Sequence, residues 1–213
     1  MKISPAKENI LKKIRQALSH STPIPFPQSE GNTSVFTASP GQLEVEFAEK
    51  FTGLQGKFIF CLDHREMAAQ LRKLAGFHAW NNLFCQEDKI IQILKDQAGP
   101  LTVATGLEQS DAAITSCELL IARTGSIVMS AAQPSGRTVS VYAPVHICLA
   151  YTSQLVYDIR EGLSFLKEKY GGRMPSLITL ATGPSRTADI EKTLVVGVHG
   201  PREVYVFLVD EQS

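Results

Sequence analysis

The chain has 213 residues, enough for one medium domain with a sizeable core, or for one domain with an arm. Apolar residues make up 44% and charged residues 20%, and 21 basic side chains balance 21 acidic ones, so no net field draws the protein to nucleic acid or to a bilayer surface. The four cysteines, Cys61, Cys85, Cys117 and Cys148, form no C-x-x-C pair, which argues against a zinc or iron–sulfur site in this chain and for reduced, buried thiols.

At the N-terminus, Ser4-Pro5 supplies an N-cap oxygen followed by a proline at the first helical position. Ile10, Leu11, Ile14 and Leu18 then mark one apolar stripe opposite Lys7, Lys12, Lys13 and Arg15. Such a helix has a solvated basic face and a docking face. It lacks the unbroken apolar run of a signal peptide or a membrane span, so no membrane insertion and a cytoplasmic location are expected. Residues 21–41 carry Pro23, Pro25, Pro27 and Pro40 and read as a linker or an extended strap. A short helix is expected over 42–51. The organisation predicted is a helical arm at residues 1–56 and an α/β domain at 57–213.

Within that domain the expected strands are 57–62, 101–105, 118–122, 126–130, 138–143, 146–150, 177–182 and 203–210. The expected helices are 64–75, 86–97, 153–169 and 187–193. Several strands are apolar at consecutive positions, as in sheets covered on both faces. The alternation predicts an α/β three-layer open sandwich around a parallel-dominated mixed sheet. In the middle of the chain four strands follow one another without a helix. This predicts antiparallel hairpins, one of them from 126 to 143, inserted in or flanking the parallel sheet.

Chemistry is expected first at residues 177–201, where an apolar strand runs into Gly183-Pro184-Ser185-Arg186-Thr187. Ligands of open α/β sheets gather at the C-terminal ends of strands. Free amides at a helix start favour an anion, and Arg186 could grip a carboxylate or phosphate. The same residues also read as a plain turn with an N-cap, since Asp189 and Glu191 already place negative charge in the first turn. His199, followed by Gly200, could present an imidazole as a proton donor or an anion contact, or be a hydrogen-bonded turn residue. A second region offers Thr124, Gly125 and Ser126 at a turn, and His146 at the start of a strand. No Walker loop, G-x-S-x-G elbow or H-E-x-x-H motif occurs.

Two paired motifs carry a resemblance. Thr124-Gly125-Ser126-Ile127 with Pro144-Val145-His146-Ile147-Cys148, and the stretch from Gly183 to Glu191 with Gly197-Val198-His199-Gly200-Pro201, together resemble the lactate utilisation protein C family, which is built around the LUD domain. The resemblance implies a fold like the NagB/RpiA/CoA-transferase group and a role in bacterial oxidation of L-lactate to pyruvate. A member of that family would act there as an accessory or ligand-binding component, beside lactate utilisation proteins A and B that carry iron–sulfur clusters. The resemblance implies no cofactor in this chain, no metal, a small anionic ligand, and no catalytic residue beyond the candidate His199. The fold group also admits a stand-alone enzyme acting on a small phosphorylated, folate-like or CoA-linked substrate.

Overall fold

A computed structural model describes residues 5–19, 41–98, 106–190 and 193–210. The chain divides into two compact units, residues 1–37 and 38–213. In the first, helix α1 (Pro5–Leu18) leaves Ile10 and Ile14 exposed. The proline-rich strap and the strand expected at 101–105 lie outside the described residues.

The second unit opens with α2 (Leu43–Gly53). Strand β1 (Lys57–Cys61), helix α3 (His64–Phe77), strand β2 (Leu83–Phe84), helix α4 (Asp88–Ala98) and strand β3 (Ala112–Ser116) follow. Then come β4 (Leu119–Ile121), β5 (Ser126–Ser130), α5 (Val139–Tyr142), β6 (Val145–Tyr151), β7 (Leu155–Val156) and α6 (Ile159–Lys169). The unit ends with β8 (Ile178–Ala181), β9 (Arg186–Ile190), β10 (Thr193–Val196) and β11 (Glu203–Val209).

Five strands form a parallel sheet in the order β1-β11-β6-β3-β2. Its middle strands, β11 and β6, are apolar almost throughout because both their faces are buried. Side chains alternate across the sheet. Tyr205, Phe207 and Val209 of β11 meet Met67 and Leu71 of α3 and Ile90 and Leu94 of α4. Val204, Val206 and Leu208 face the other way, towards Leu120, Ile127 and Met129. Those three belong to a second, mixed sheet of order β7-β4-β5-β8, with α6 behind it through Leu166. The fold is thus mixed α/β with a mostly parallel main sheet. Helices cover one face of that sheet, and the flanking strands from the middle of the chain cover the other.

Two expected elements take another form. Residues 138–143 are not a strand. Val139 and Ala143 are buried four residues apart while Val141 and Tyr142 are exposed, which is helical spacing, and α5 ends where Pro144 forces Ala143 into extended backbone. The hairpin is therefore β4–β5, turning at Thr124-Gly125, rather than 126–143. The described residues of the helix expected at 187–193 are strand instead. β9 and β10 pair antiparallel, with Thr187 opposite Val195 and Arg186 opposite Val196. The ribbon is clipped at its base by Gly197 N–H donating to the Ser185 carbonyl, 2.9 Å, and Ser185 N–H donating to the Pro201 carbonyl, 2.9 Å.

Helix α2, grouped with the arm at residues 1–56 by the sequence, packs into the α/β unit. Phe47 and Phe51 are fully buried between the two sheets and stack on each other, ring centroids 5.4 Å apart. Gly125 makes this possible. Its φ of +61° is left-handed, and a Cβ there would sit 2.6 Å from the Phe51 backbone nitrogen. Gly125→Ala is therefore expected to destabilise the protein by about 2 kcal/mol or more, through backbone strain plus displacement of α2. The check is a lower urea midpoint at unchanged slope; an unchanged midpoint would mean that α2 is not seated against this turn.

Candidate functional site

The residues singled out in the sequence fall into two groups. Gly183, like Gly125, makes room for α2. At φ +84°, a Cβ on Gly183 would come within 2.6 Å of the Leu54 carbonyl oxygen. Arg186 donates from Nη2 to the same Leu54 carbonyl, 2.6 Å, and to Gln55 Oε1, 3.4 Å. Gln55 sits at φ 68°, where the helix has ended. The guanidinium thus neutralises the negative end of α2. Thr124 Oγ1, Ser126 Oγ and Thr182 Oγ1 form a hydroxyl chain, 2.7 and 2.8 Å, that ties the β4–β5 turn to the loop after β8. Pro184 is buried, and Thr187 lies in β9. The helix start proposed for anion binding at 183–187 is absent, because a strand follows.

The other group converges. His146, Gly183, Ser185, His199 and Gly200 line one recess of about 150 Å³ between the two sheets. One wall is His146 and Val204, paired neighbours at the starts of β6 and β11. The facing wall is Met129 of β5 with Thr179 and Ala181 of β8. Val141, His199 and Gly200 also line an outer cleft of about 560 Å³, together with Tyr142 and Arg202. The recess therefore meets the C-terminal end of β8 but the N-terminal ends of β6 and β11. At the C-terminal ends of β1, β6 and β11, where ligands were expected, a cleft of about 580 Å³ opens beside α2, lined by Phe58, Phe60, Thr152 and Asp210, while two buried acids lie beside the end of β3. Glu87 accepts from Ser116 N–H, 2.8 Å, and from Ser116 Oγ, 2.6 Å. Glu118 accepts from Ser130, Tyr170 and Lys169 at 2.5, 2.6 and 2.6 Å. Burial alone would raise the Glu118 carboxyl, but these three hydrogen bonds hold it below its ordinary value.

His146 is fully buried, and its Nε2 shares a hydrogen bond with Thr115 Oγ1, 2.8 Å. Burial lowers its pKa from 6.5 to about 4, so the ring is neutral near pH 7. His199 is exposed at the mouth. Met129, Thr179 and Val204 escaped the sequence reading because each is one residue in an apolar alternation. Only the pairing of β5 with β8, and of β6 with β11, shows which of them share a wall. Among the described residues no group of three or more His, Cys, Asp or Glu side chains could hold a metal ion, and no helix is long and apolar enough to cross a membrane. The four cysteines are free and buried.

The neutral imidazole makes stability pH-dependent. Between pH 6.5 and about 4 the unfolded chain takes up a proton that the folded ring refuses. The stability is complete above pH 6.5 and is lost as pH falls towards 4, a change of about 3 kcal/mol. In His146→Gln this part of the stability profile should flatten, read from urea midpoints at pH 7, 5.5 and 4.5. A profile as steep as the parent's would show that another group titrates there.

Residues 102–209, about half of the chain, match the LUD domain. Over 107 residues the chain is 35% identical to Lactate utilization protein C of Bacillus licheniformis, covering 49% of this chain and 45% of that one. The protein of the same name from Deinococcus radiodurans is 35% identical over 120 residues, 56% of this chain and 55% of that one. An uncharacterised protein of Neisseria meningitidis is 36% identical over 99 residues, 46% and 42% of the two chains. The matched part of the chain thus spans about half the length of these curated relatives. The crystal structure of a DUF162 family protein from Deinococcus radiodurans shares the fold, with a TM-score of 0.57 at 20% identity over 81% of this chain and 99% of that one. With the LUD match running from before β3 through β11, and so across both walls of the recess, the chain belongs to the LUD domain family.

Proposed function

We propose that the protein serves bacterial L-lactate utilisation, the oxidation of L-lactate to pyruvate. In this reading it is an accessory, ligand-binding component without an iron–sulfur cluster of its own, working beside the cluster-bearing lactate utilisation proteins A and B. The observation that carries the reading is the similarity to relatives named Lactate utilization protein C, together with the LUD match over residues 102–209, which takes in both walls of the recess. The four cysteines lie far apart in sequence and are buried, which supports assigning electron transfer to other chains.

The ligand is a small anion. His199 and Arg202, at the cleft, are the side chains suited to its charge, and Ser185 and the amides around Gly200 are suited to further hydrogen bonds. Arg186, Gly125, Gly183, Thr124 and Ser126 act indirectly in this scheme, by holding α2 and the loop after β8 in place.

A bacterial strain deleted for its own copy of this gene should fail to grow on L-lactate while growing normally on glucose, and the wild-type chain should restore growth. Affinity purification from lactate-grown cells should bring down iron–sulfur proteins. Unimpaired growth of the deletion strain on lactate would refute the assignment.

A further inference from the structure

Helix α1 has an apolar stripe that needs a cover. Ile10, Leu11 and Ile14 fall on one side of it, and Ile10 is 59% and Ile14 48% exposed. A helix of 14 residues is marginal in water by itself, and an amphipathic one gains its stability by packing its apolar face. The helix is also basic, with Lys7, Lys12, Lys13 and Arg15 against the single acid Glu8. Lys13 follows Ile10 by three residues and Arg15 follows Leu11 by four, so both stand next to the stripe.

The α/β unit carries a surface of the opposite kind, the cleft of about 580 Å³ beside α2. While α2 buries Phe47 and Phe51, it turns a second face to this cleft, with Val45 and Ala48 between Glu44 and Glu49. Strand β1 adds Phe58 and Phe60. Val45 is 51% and Phe60 44% exposed. The charged side chains that line the cleft are Glu44, Glu49 and Asp210, and no lysine or arginine is among them. A small anion is repelled there, and a simple cation makes no use of the phenylalanine rings. The occupant that matches both features is an apolar stripe bordered by lysine and arginine.

We infer that the cleft beside α2 is the docking site for α1 of a second copy of this chain, exchanged reciprocally in a twofold dimer. Ile10, Leu11 and Ile14 of one copy pack on Val45, Phe58 and Phe60 of the other, and Lys13 and Arg15 face its Glu44 and Glu49. Every molecule brings one stripe and one cleft, so a closed pair covers both stripes and both clefts and leaves nothing open for further growth.

The test is sedimentation equilibrium of the full chain, with two charge-reversed variants, Lys13→Glu/Arg15→Glu and Glu44→Lys/Glu49→Lys. The wild type should be a dimer at micromolar concentration. Each variant alone sets like charges against each other and should dimerise at least about tenfold more weakly. An equimolar mixture of the two should regain the wild-type dimer, because in the mixed pair each helix meets a cleft of opposite charge. Ile10→Asp/Ile14→Asp, which removes the stripe and leaves the cleft intact, should be monomeric at an unchanged near-ultraviolet circular dichroism spectrum, and so decides the matter if a charge-reversed variant does not fold. A wild type that stays monomeric at hundreds of micromolar would overturn the inference. So would a dimer that none of these substitutions weakens, since another face would then hold it. Charge-reversed variants that are weakened singly but not restored by mixing would also overturn it, because the helix would then be docking on its own chain or on another protein.

Discussion

The structure of the α/β unit depends on how α2 is wedged between the two sheets. Phe47 and Phe51 fill the space that Leu120, Ile127, Val206 and Leu208 would otherwise leave open, and losing either ring from a packed core typically costs about 3–5 kcal/mol. The helix backbone can come this close only because Gly125 and Gly183 present no side chain to it. Its C-terminal carbonyl at Leu54 is then satisfied by Arg186. Two segments far apart in sequence, the β4–β5 turn and the loop after β8, are thus locked to one helix end. One of them, the loop after β8, continues directly into Ser185 on the wall of the recess.

That arrangement explains why motif residues resembling a ligand-binding loop are largely occupied with the protein itself. A glycine with positive φ followed by an arginine is what an anion site needs, and it is equally what a docked helix C-terminus needs. The recess is lined from the same loop, by Gly183 and Ser185. Its two walls come from different sheets, His146 and Val204 from one and Met129, Thr179 and Ala181 from the other. At the opposite end of the parallel sheet, Glu87 and Glu118 lie beside the end of β3. Each is buried, and each has its carboxylate oxygens in hydrogen bonds. A buried acid so satisfied fixes the geometry of the strand ends.

Much of the fold was legible. The apolar runs of β1, β5, β6, β8 and β11 and the helical periodicity of α3, α4 and α6 are strong local signals, and they locate those elements to within a few residues, apart from the start of α6. The failures are equally physical. β2 and β7 are two residues long and carry no period. β3, Ala112–Ser116, is built from small residues that bury little area by themselves. In 138–143 a period of two and a period of four coexist, and Pro144 with the burial of Val139 and Ala143 decides for the helix. In 186–196 a plausible helix start lost to pairing between Thr187 and Val195, an interaction between residues eight apart that no local window weighs.

By itself, the amino-acid sequence determined the class of fold and the family resemblance, because both rest on local apolar periodicity and on ordered short motifs. It also singled out His146, Ser185 and His199 as chemistry-bearing positions. Tertiary structure alone decided that these three share a recess while Arg186 turns to the end of α2. Which side chains face one another across two sheets is set by strand register and by the seating of a distant helix. Neither quantity is encoded within any single stretch of chain.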